Sequence, residues 1–253
     1  MKNKNTSWGV VADWYENHLS ENQDSYHKKV ILPNLLRLID IKPTDSILDL
    51  ACGTGFFTRE FFTLSKKVMG VDISKELISI ARKNSDPNIK YVVTPAHKLK
   101  GISDASVDKI SLVLAIQNIE EVKEMLYECS RVLSQGGSMH IVLNHPSFRI
   151  PKGSSWGWDD VAQKQYRRID KYISESKVEI DMHPGQKEKE QTISFHRPIQ
   201  FYFKLFRSGG FVVTRLEEWI SHKKSDAGPR QKEEDRMRKE IPLFMYLEIK
   251  KGV

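Results

Sequence analysis

Cysteine is scarce in this chain, with only two among 253 residues. Cys52 and Cys129 are not spaced as a metal-binding pair, and a reducing compartment would keep both as thiols. No apolar run is long enough to span a bilayer, and the polar residues 1–6 do not resemble a signal peptide. Internal repeats and low-complexity tracts are also missing. These absences argue against a membrane-spanning or secreted protein and favour a cytoplasmic one.

Charge is plentiful but poorly segregated. The net charge of +7 and pI of about 9.2 indicate some affinity for anions, yet the basic residues are spread among nearly as many acids. A dedicated nucleic-acid-binding surface is therefore an alternative that the charge distribution does not favour. The apolar content of 39% suits one α/β core. We expect a single domain over residues 1–253.

The most informative stretch is residues 47–55, Ile-Leu-Asp-Leu-Ala-Cys-Gly-Thr-Gly. An apolar strand containing Asp49 runs into a turn of small residues, where Gly53 and Gly55 allow backbone to approach a ligand without a Cβ in the way. A second apolar strand ends in Asp72, at the spacing where doubly wound sheets place an acid against ribose hydroxyls. The pattern predicts a nucleotide-sized ligand site.

The glycine pattern separates two kinds of ligand. A dinucleotide fold has a third glycine or alanine where this chain has Thr58. Residues 47–55 and 68–74 instead resemble the first two motifs of class I S-adenosylmethionine-dependent methyltransferases of type 11. Residues 105–114 and 128–137 extend the resemblance to the fourth strand, the next helix and the fifth strand. Later motifs are similar to a bacterial and archaeal subgroup, which implies no particular acceptor.

This resemblance implies an α/β fold: a Rossmann-like, doubly wound, mostly parallel seven-stranded sheet with one antiparallel strand. Hydrophobic spacing predicts an amphipathic helix at 25–40 within an N-terminal helical cap, residues 1–40. Residues 146–197 show no clear strand period, and we expect them to form an insertion or lid over the carboxyl edge of the sheet. Strands are expected near 46–50, 67–71, 89–93, 107–114, 138–143, 211–220 and 242–250, and helices near 55–64, 75–84, 121–133 and 199–208.

The resemblance also implies a set of residues that bind S-adenosylmethionine and release S-adenosylhomocysteine. Asp72 is expected to bind the ribose, although it also suits a helix N-terminus. Tyr15 is either a cover for the methionine end or a core aromatic. Many relatives have an acid after the third strand where this chain has Pro95, so a backbone carbonyl or His97 would replace it at adenine. The full set is Tyr15, Asp49, Ala51, Gly53, Thr54, Gly55, Asp72, Ile73, Ala96, His97, Leu114 and Gln117.

Acceptor chemistry is less constrained by the sequence. Methyl transfer from a sulfonium depends mainly on orientation, and a base is needed only for some acceptors. His145, directly after the fifth strand, is the first candidate for that base, with a structural histidine as the alternative. Trp156, Arg167 and His196 of the insertion suit a planar or anionic small-molecule acceptor. Alternatively, Trp156 and Trp158 simply anchor a lid. An RNA, ribosomal or protein substrate is the alternative function, and a non-enzymatic cofactor-binding module is the third.

Overall fold

The computed structural model describes residues 7–182 and 190–252, without the side chains of His18 and Ser20. Residues 183–189 of the predicted insertion and residues 1–6 of the predicted N-terminal cap lie outside this part of the chain.

Seven strands form one sheet in the order β10-β11-β5-β4-β1-β2-β3. Only β11 runs antiparallel to its neighbours, β5 and β10. The predicted sheet, parallel except for one strand, is therefore confirmed. Its strands are β1 (Ser46–Leu50), β2 (Lys67–Asp72), β3 (Lys90–Val93), β4 (Val107–Val113), β5 (Leu133–Asn144), β10 (Phe211–Trp219) and β11 (Phe244–Lys251).

Helices follow most of the parallel strands, as right-handed crossovers require. Ser74 begins one of them by accepting a hydrogen bond from the Leu77 amide at its N-terminus. No helix among the described residues is long and apolar enough to cross a membrane. The α-helices are α1 (Ser7–Val10), α2 (Ala12–Glu21), α3 (Leu32–Ile39), α4 (Phe56–Leu64), α5 (Lys75–Lys83), α6 (Val122–Val132), α7 (Ile199–Ser208) and α8 (Gln231–Glu240), and a π-helical turn at His27–Ile31 precedes α3.

Two apolar clusters cover the two faces of the sheet. On one face α3, α4 and α5 bury side chains such as Leu35, Phe61 and Ile78. On the other, α6 and α7 bury side chains such as Leu126 and Phe206. Each large apolar side chain removed from water contributes about 1.5–3 kcal/mol. The sheet is consequently packed on both sides, and its strand ends remain for ligand binding.

Residues 146–197 show no clear strand period in their sequence, yet the structure has strands there. They contain two antiparallel hairpins, β6 (Ser154–Asp159) with β7 (Lys164–Ile169), and β8 (Ser176–Asp181) with β9 (Gln191–His196). The inward-facing residues of β9 are Thr192, Ser194 and His196, which are buried but polar. Buried and more exposed side chains therefore alternate along β9, but the buried ones are polar, so the strand lacks the usual pattern of buried apolar residues. The charged segment before β11 likewise contains an unpredicted helix, α8, which buries no residue.

Candidate functional site

A cavity of ≈ 510 Å³ lies at the carboxyl ends of the parallel strands. This is the edge where open α/β sheets bind ligands, and the volume lies within the usual range for ligand pockets. The cavity is also lined by Trp8 of α1 and by Ile193 and Phe195 of the β8–β9 hairpin. Most of the predicted cofactor residues meet here, namely Tyr15, Ala51, Gly53, Asp72, Ile73, Ala96, His97, Leu114 and Gln117.

The two glycines of the turn have different environments. Gly53 has a φ of +56°, and a Cβ there would meet only the Tyr15 ring, at 3.5 Å. Gly55 has a φ of +78° and a Cβ there would collide with the Tyr91 hydroxyl and approach Ala81. Gly53 thus opens towards the cavity. Gly55 does not line it and instead permits close packing at the start of α4.

Asp49 lies behind the turn, facing a smaller cavity of ≈ 40 Å³ that Tyr15 and Thr54 also line. Its Oδ2 accepts a hydrogen bond from the Thr58 hydroxyl at 2.5 Å. Burial raises the pKa of Asp49 to about 7, and the nearby Asp72 adds to the effect. Thr54 Oγ1 is buried and has no hydrogen-bond partner among the described residues. This corner therefore has one unsatisfied polar group, beside a buried carboxyl, that suits a polar ligand.

Asp72 stands at the end of β2 and is only 8% exposed. One carboxylate oxygen accepts from the Gly53 amide at 3.0 Å and the other from the Ser74 amide at 2.9 Å. Burial raises its pKa, while these amides oppose the shift. The contact with Ser74 fits the helix-terminus interpretation, and the position in the cavity wall fits the ligand interpretation, because each oxygen can accept a further hydrogen bond.

Negative charge at this end of the cavity is not balanced by the protein. Neither Asp49 nor Asp72 forms an ion pair with any residue that the structure describes. Burial raises the pKa of the Tyr15 hydroxyl, with a further contribution from Asp72. Buried carboxylates without a cation are costly unless a ligand supplies the charge. The arrangement suits a cationic ligand and disfavours a phosphate.

The opposite wall comes from the segment after β3. The Thr94 amide donates to the Asp72 carbonyl at 2.9 Å, and its hydroxyl donates to the Lys98 carbonyl at 2.6 Å, which holds this loop beside β2. His97 Nδ1 lies 3.7 Å from a carboxylate oxygen of Glu121. The Ile73 side chain, 55% exposed overall, faces the cavity and offers an apolar surface for a flat ring.

The loop after β4 forms the floor. Leu114 has a φ of +52°, and its amide donates to the Val142 carbonyl at 2.7 Å. Gln117 Nε2 donates to the Leu114 carbonyl at 2.6 Å, which fixes the orientation of the amide. Gln117 Oε1 is left buried without a hydrogen-bond partner in the described part of the chain. It is an acceptor available to a ligand.

His145 does not line the cavity. Its Nδ1 accepts from the Ser147 amide at 3.2 Å, so Nε2 carries the proton and contacts Glu218 Oε1 at 2.6 Å. Burial lowers its pKa, and Glu218 opposes the shift. Both ring nitrogens are occupied, and the ring also packs against Phe148 at 4.7 Å. The structure thus gives His145 the place of a residue that holds the loop after β5.

The predicted acceptor residues are also separated. Trp156 lies on β6 under the Arg167 guanidinium, at 5.1 Å, and neither residue lines the main cavity. His196 Nε2 is 2.8 Å from the Tyr172 carbonyl, and its side chain lines a small adjoining cavity. The hairpin residues that do line the main cavity, such as Phe195, were missed individually, although the Ser194-Phe-His-Arg-Pro198 motif indicated their segment.

Comparison with known proteins agrees with this geometry. Residues 48–141 match the family described as Methyltransferase domain. A solved S-adenosylmethionine-dependent methyltransferase from Mesorhizobium loti shares the fold with a TM-score of 0.72 and 24% identity, over 89% of this chain and 99% of that one.

Two curated relatives match over shorter lengths. The demethylmenaquinone methyltransferase of Chlorobaculum tepidum is 32% identical over 52% of this chain and 55% of its own length. The biotin biosynthesis bifunctional protein BioHC of Cellvibrio japonicus is 27% identical over 56% of this chain and 28% of its own. The chain thus spans about half or less of these two relatives. The chain has the Rossmann-like fold of the class I S-adenosylmethionine-dependent methyltransferases, and residues 48–141 are similar to the methyltransferase domain family.

Proposed function

We propose that the protein transfers a methyl group from S-adenosylmethionine to a small-molecule acceptor. The observation that carries this proposal is the pair of buried carboxylates, Asp49 and Asp72, that face the cavity region without a basic partner among the described residues. The cofactor supplies an electrophilic methyl group on a sulfonium, and its positive charges match this uncompensated negative potential.

The residues present fit that cofactor. Asp72 would accept the ribose hydroxyls, with Ile73 beside the adenine. Asp49 and the orphaned Thr54 Oγ1 would meet the polar methionine end, beneath Tyr15. Ala96 and His97 would close the adenine side, where Pro95 removes the usual acid. Leu114 and Gln117 would lie near the sulfonium. None of these roles requires a proton to move.

A small-molecule acceptor is favoured by the enclosure of the cavity. The N-terminal helices and the β8–β9 hairpin both contribute walls, through Trp8, Ile180 and Phe195. Desolvation and alignment in such a space provide most of what methyl transfer needs, because well-oriented reactants can gain roughly 7–11 kcal/mol of the barrier. We assign no general base, since His145 is committed to Ser147 and Glu218.

The cofactor site can be tested by calorimetry with S-adenosylhomocysteine. We expect Asp72→Ala to lower the affinity about ten- to a hundredfold, because hydrogen bonds to a charged group are worth about 1.5–3 kcal/mol. Asp226→Ala, at an exposed acid remote from the cavity, is the matched control and should bind like the wild type. Unaltered binding by Asp72→Ala would mean that the ribose lies elsewhere.

The acceptor class requires a separate measurement. A polynucleotide substrate predicts binding that weakens steeply with salt, because phosphate contacts release counterions. We expect no such dependence, and we expect transfer of labelled methyl groups to compounds in a protein-free small-molecule extract. Transfer to RNA or protein instead would contradict the proposal, as would cofactor binding without any methylated product.

A further inference from the structure

A small cavity of ≈ 30 Å³ adjoins the main one and shares with it Gln117, Asn144, Ser194 and Phe195. We call it the side pocket. About 10–15 Å³ of such volume holds one water molecule, so the side pocket has room for roughly two non-hydrogen atoms. This is the size of the two oxygens of a carboxylate. Its remaining lining is Pro146, Arg149, Pro151, His196, Arg197 and Tyr202.

Arg149 brings an uncommitted positive charge to the side pocket. A single turn after β5 positions it, because its amide donates to the His145 carbonyl at 2.8 Å. Its guanidinium has no hydrogen bond or ion pair with any residue within 7–182 or 190–252. The residue is exposed as a whole, yet the protein around its guanidinium lowers its pKa by burial. An arginine remains charged despite such a shift.

Two further guanidinium groups lie near Arg149. Arg167 donates to the Phe148 carbonyl at 2.8 Å and to the Ser154 hydroxyl at 2.7 Å. Burial lowers the pKa of Arg167, and the charge of Arg149 lowers it further, which indicates that the two groups are close. Like-charged groups held together in this way attract an anion.

Arg197 is the third guanidinium and is only 6% exposed. It donates to the carbonyls of Ile119, at 2.9 Å, and Ile116, at 3.3 Å. Carbonyls satisfy its N–H groups but do not neutralise its charge. The carboxylate of Glu175 acts on the neighbouring Tyr202, but no described carboxylate forms an ion pair with any of the three arginines. The region therefore has a positive charge without a counter-ion.

Gln117 connects this charge to the methyl-transfer cavity. It lines both spaces, and its Oε1 is the buried acceptor without a partner described above. An N–H or O–H group of a bound molecule would satisfy it. A ligand that spans both spaces would thus place a negative group beside Arg149 and a hydrogen-bond donor beside Gln117.

Building on the methyl transfer proposed above, we propose that the acceptor is a small carboxylic acid whose carboxylate binds Arg149 in the side pocket. Arg167 and Arg197 contribute positive charge, and Gln117 Oε1 accepts a hydrogen bond from the acceptor's N–H or O–H. The planar fork of a guanidinium matches a carboxylate in two parallel hydrogen bonds. The restricted volume favours a carboxylate over a bulkier phosphate.

The probes are two fractions of a protein-free bacterial small-molecule extract, one retained on an anion exchanger at pH 8 and one not retained. Each is incubated with the protein and methyl-labelled S-adenosylmethionine. We expect labelled product only from the retained fraction, and no change after that fraction is treated with alkaline phosphatase. Arg149→Gln should lower transfer at limiting extract about tenfold or more, and Arg149→Lys should lower it less.

Two controls make the result specific. Arg168→Gln alters an exposed arginine of β7 that pairs with Asp170 at 3.0 Å, and it should transfer at the wild-type rate within about twofold. All variants should bind S-adenosylhomocysteine with unchanged affinity. If the wild type did not bind S-adenosylhomocysteine, the proposed function itself would be overturned.

The inference has its own contrary results, all obtained with the cofactor still bound normally. Transfer only to the unretained fraction would overturn it, whereas transfer to neither fraction would contradict the proposed function. So would loss of the acceptor after phosphatase treatment, which would point to a phosphate monoester. Equal rates for Arg149→Gln and Arg168→Gln would also overturn it, because the carboxylate would then not bind Arg149.

Discussion

The buried carboxyl of Asp49 should lower the stability of the fold and at the same time strengthen cofactor binding, and one substitution can separate these two effects. Its pKa is raised from 3.8 to about 7 by burial. Between these two pH values the folded protein holds a proton that the unfolded chain has lost. The free energy of unfolding must then fall as pH rises through this window, by on the order of 4 kcal/mol in total for this group.

Asp49→Asn removes the ionisation but keeps an oxygen that can accept from the Thr58 hydroxyl. We expect the variant and the wild type to be similar near pH 4, and the variant to become progressively more stable as pH approaches 8. For a chain of this size each kcal/mol raises Tm by roughly 2–4 °C, so the difference at pH 8 should reach several degrees. The same variant should bind S-adenosylhomocysteine more weakly, because the charge facing the cofactor is gone.

Thermal unfolding from pH 4 to pH 8 measures this difference, with Asp226→Asn as the control for an exposed acid. The effects of other titrating groups are common to both proteins and cancel in the comparison. A Tm difference that is constant across the pH range would refute the argument that Asp49 is buried at this cost. Undiminished cofactor affinity in Asp49→Asn would refute its place at the methionine end.

Three further results are expected. Gly53→Val should abolish S-adenosylhomocysteine binding. Gly101→Val has similar backbone strain, at a φ of +79° with nothing within 4 Å of a Cβ, but this variant should still bind. Binding by both variants would contradict the role of Gly53. Trp156→Ala should leave cofactor affinity unchanged in calorimetry and reduce methyl transfer severalfold, because Trp156 supports Arg167; an effect confined to cofactor affinity would contradict this. Burial lowers the pKa of His140 to about 3. Below about pH 6.5 the imidazole therefore takes up a proton in the unfolded chain but not in the folded protein, and the free energy of unfolding falls as the pH is lowered. His140→Asn should therefore lose roughly 2–3 kcal/mol less than the wild type between pH 7 and pH 4.5 in urea unfolding, and equal losses would argue against this cause.

Much of the fold was predictable because it depends on short-range patterns. Apolar strands, their spacing from amphipathic helices, and the glycines after β1 are properties of neighbouring residues, and they predicted most strands and helices of the sheet. The one antiparallel strand was implied by the resemblance to class I methyltransferases. The same local signals brought Asp72, Ile73, Leu114 and Gln117 to the expected edge, because parallel strands end together.

The features that the sequence did not reveal involve residues whose surroundings come from distant parts of the chain. Gly53 and Gly55 look equivalent in sequence, but Tyr91 of β3 packs against only one of them. The strands of residues 146–197 went unrecognised because β9 buries polar side chains, which hydrophobic periodicity does not register.

The hydrogen-bond partners of His145 were likewise set by tertiary contacts. His145 follows β5 directly, as a candidate base should, but Glu218 of β10 occupies its Nε2. Arg149 has no distinctive motif, and its importance comes from the absence of any described carboxylate partner around it. Chain order thus determined which strands and turns form, whereas burial and charge balance, which depend on residues far apart in the chain, decided what each side chain can bind.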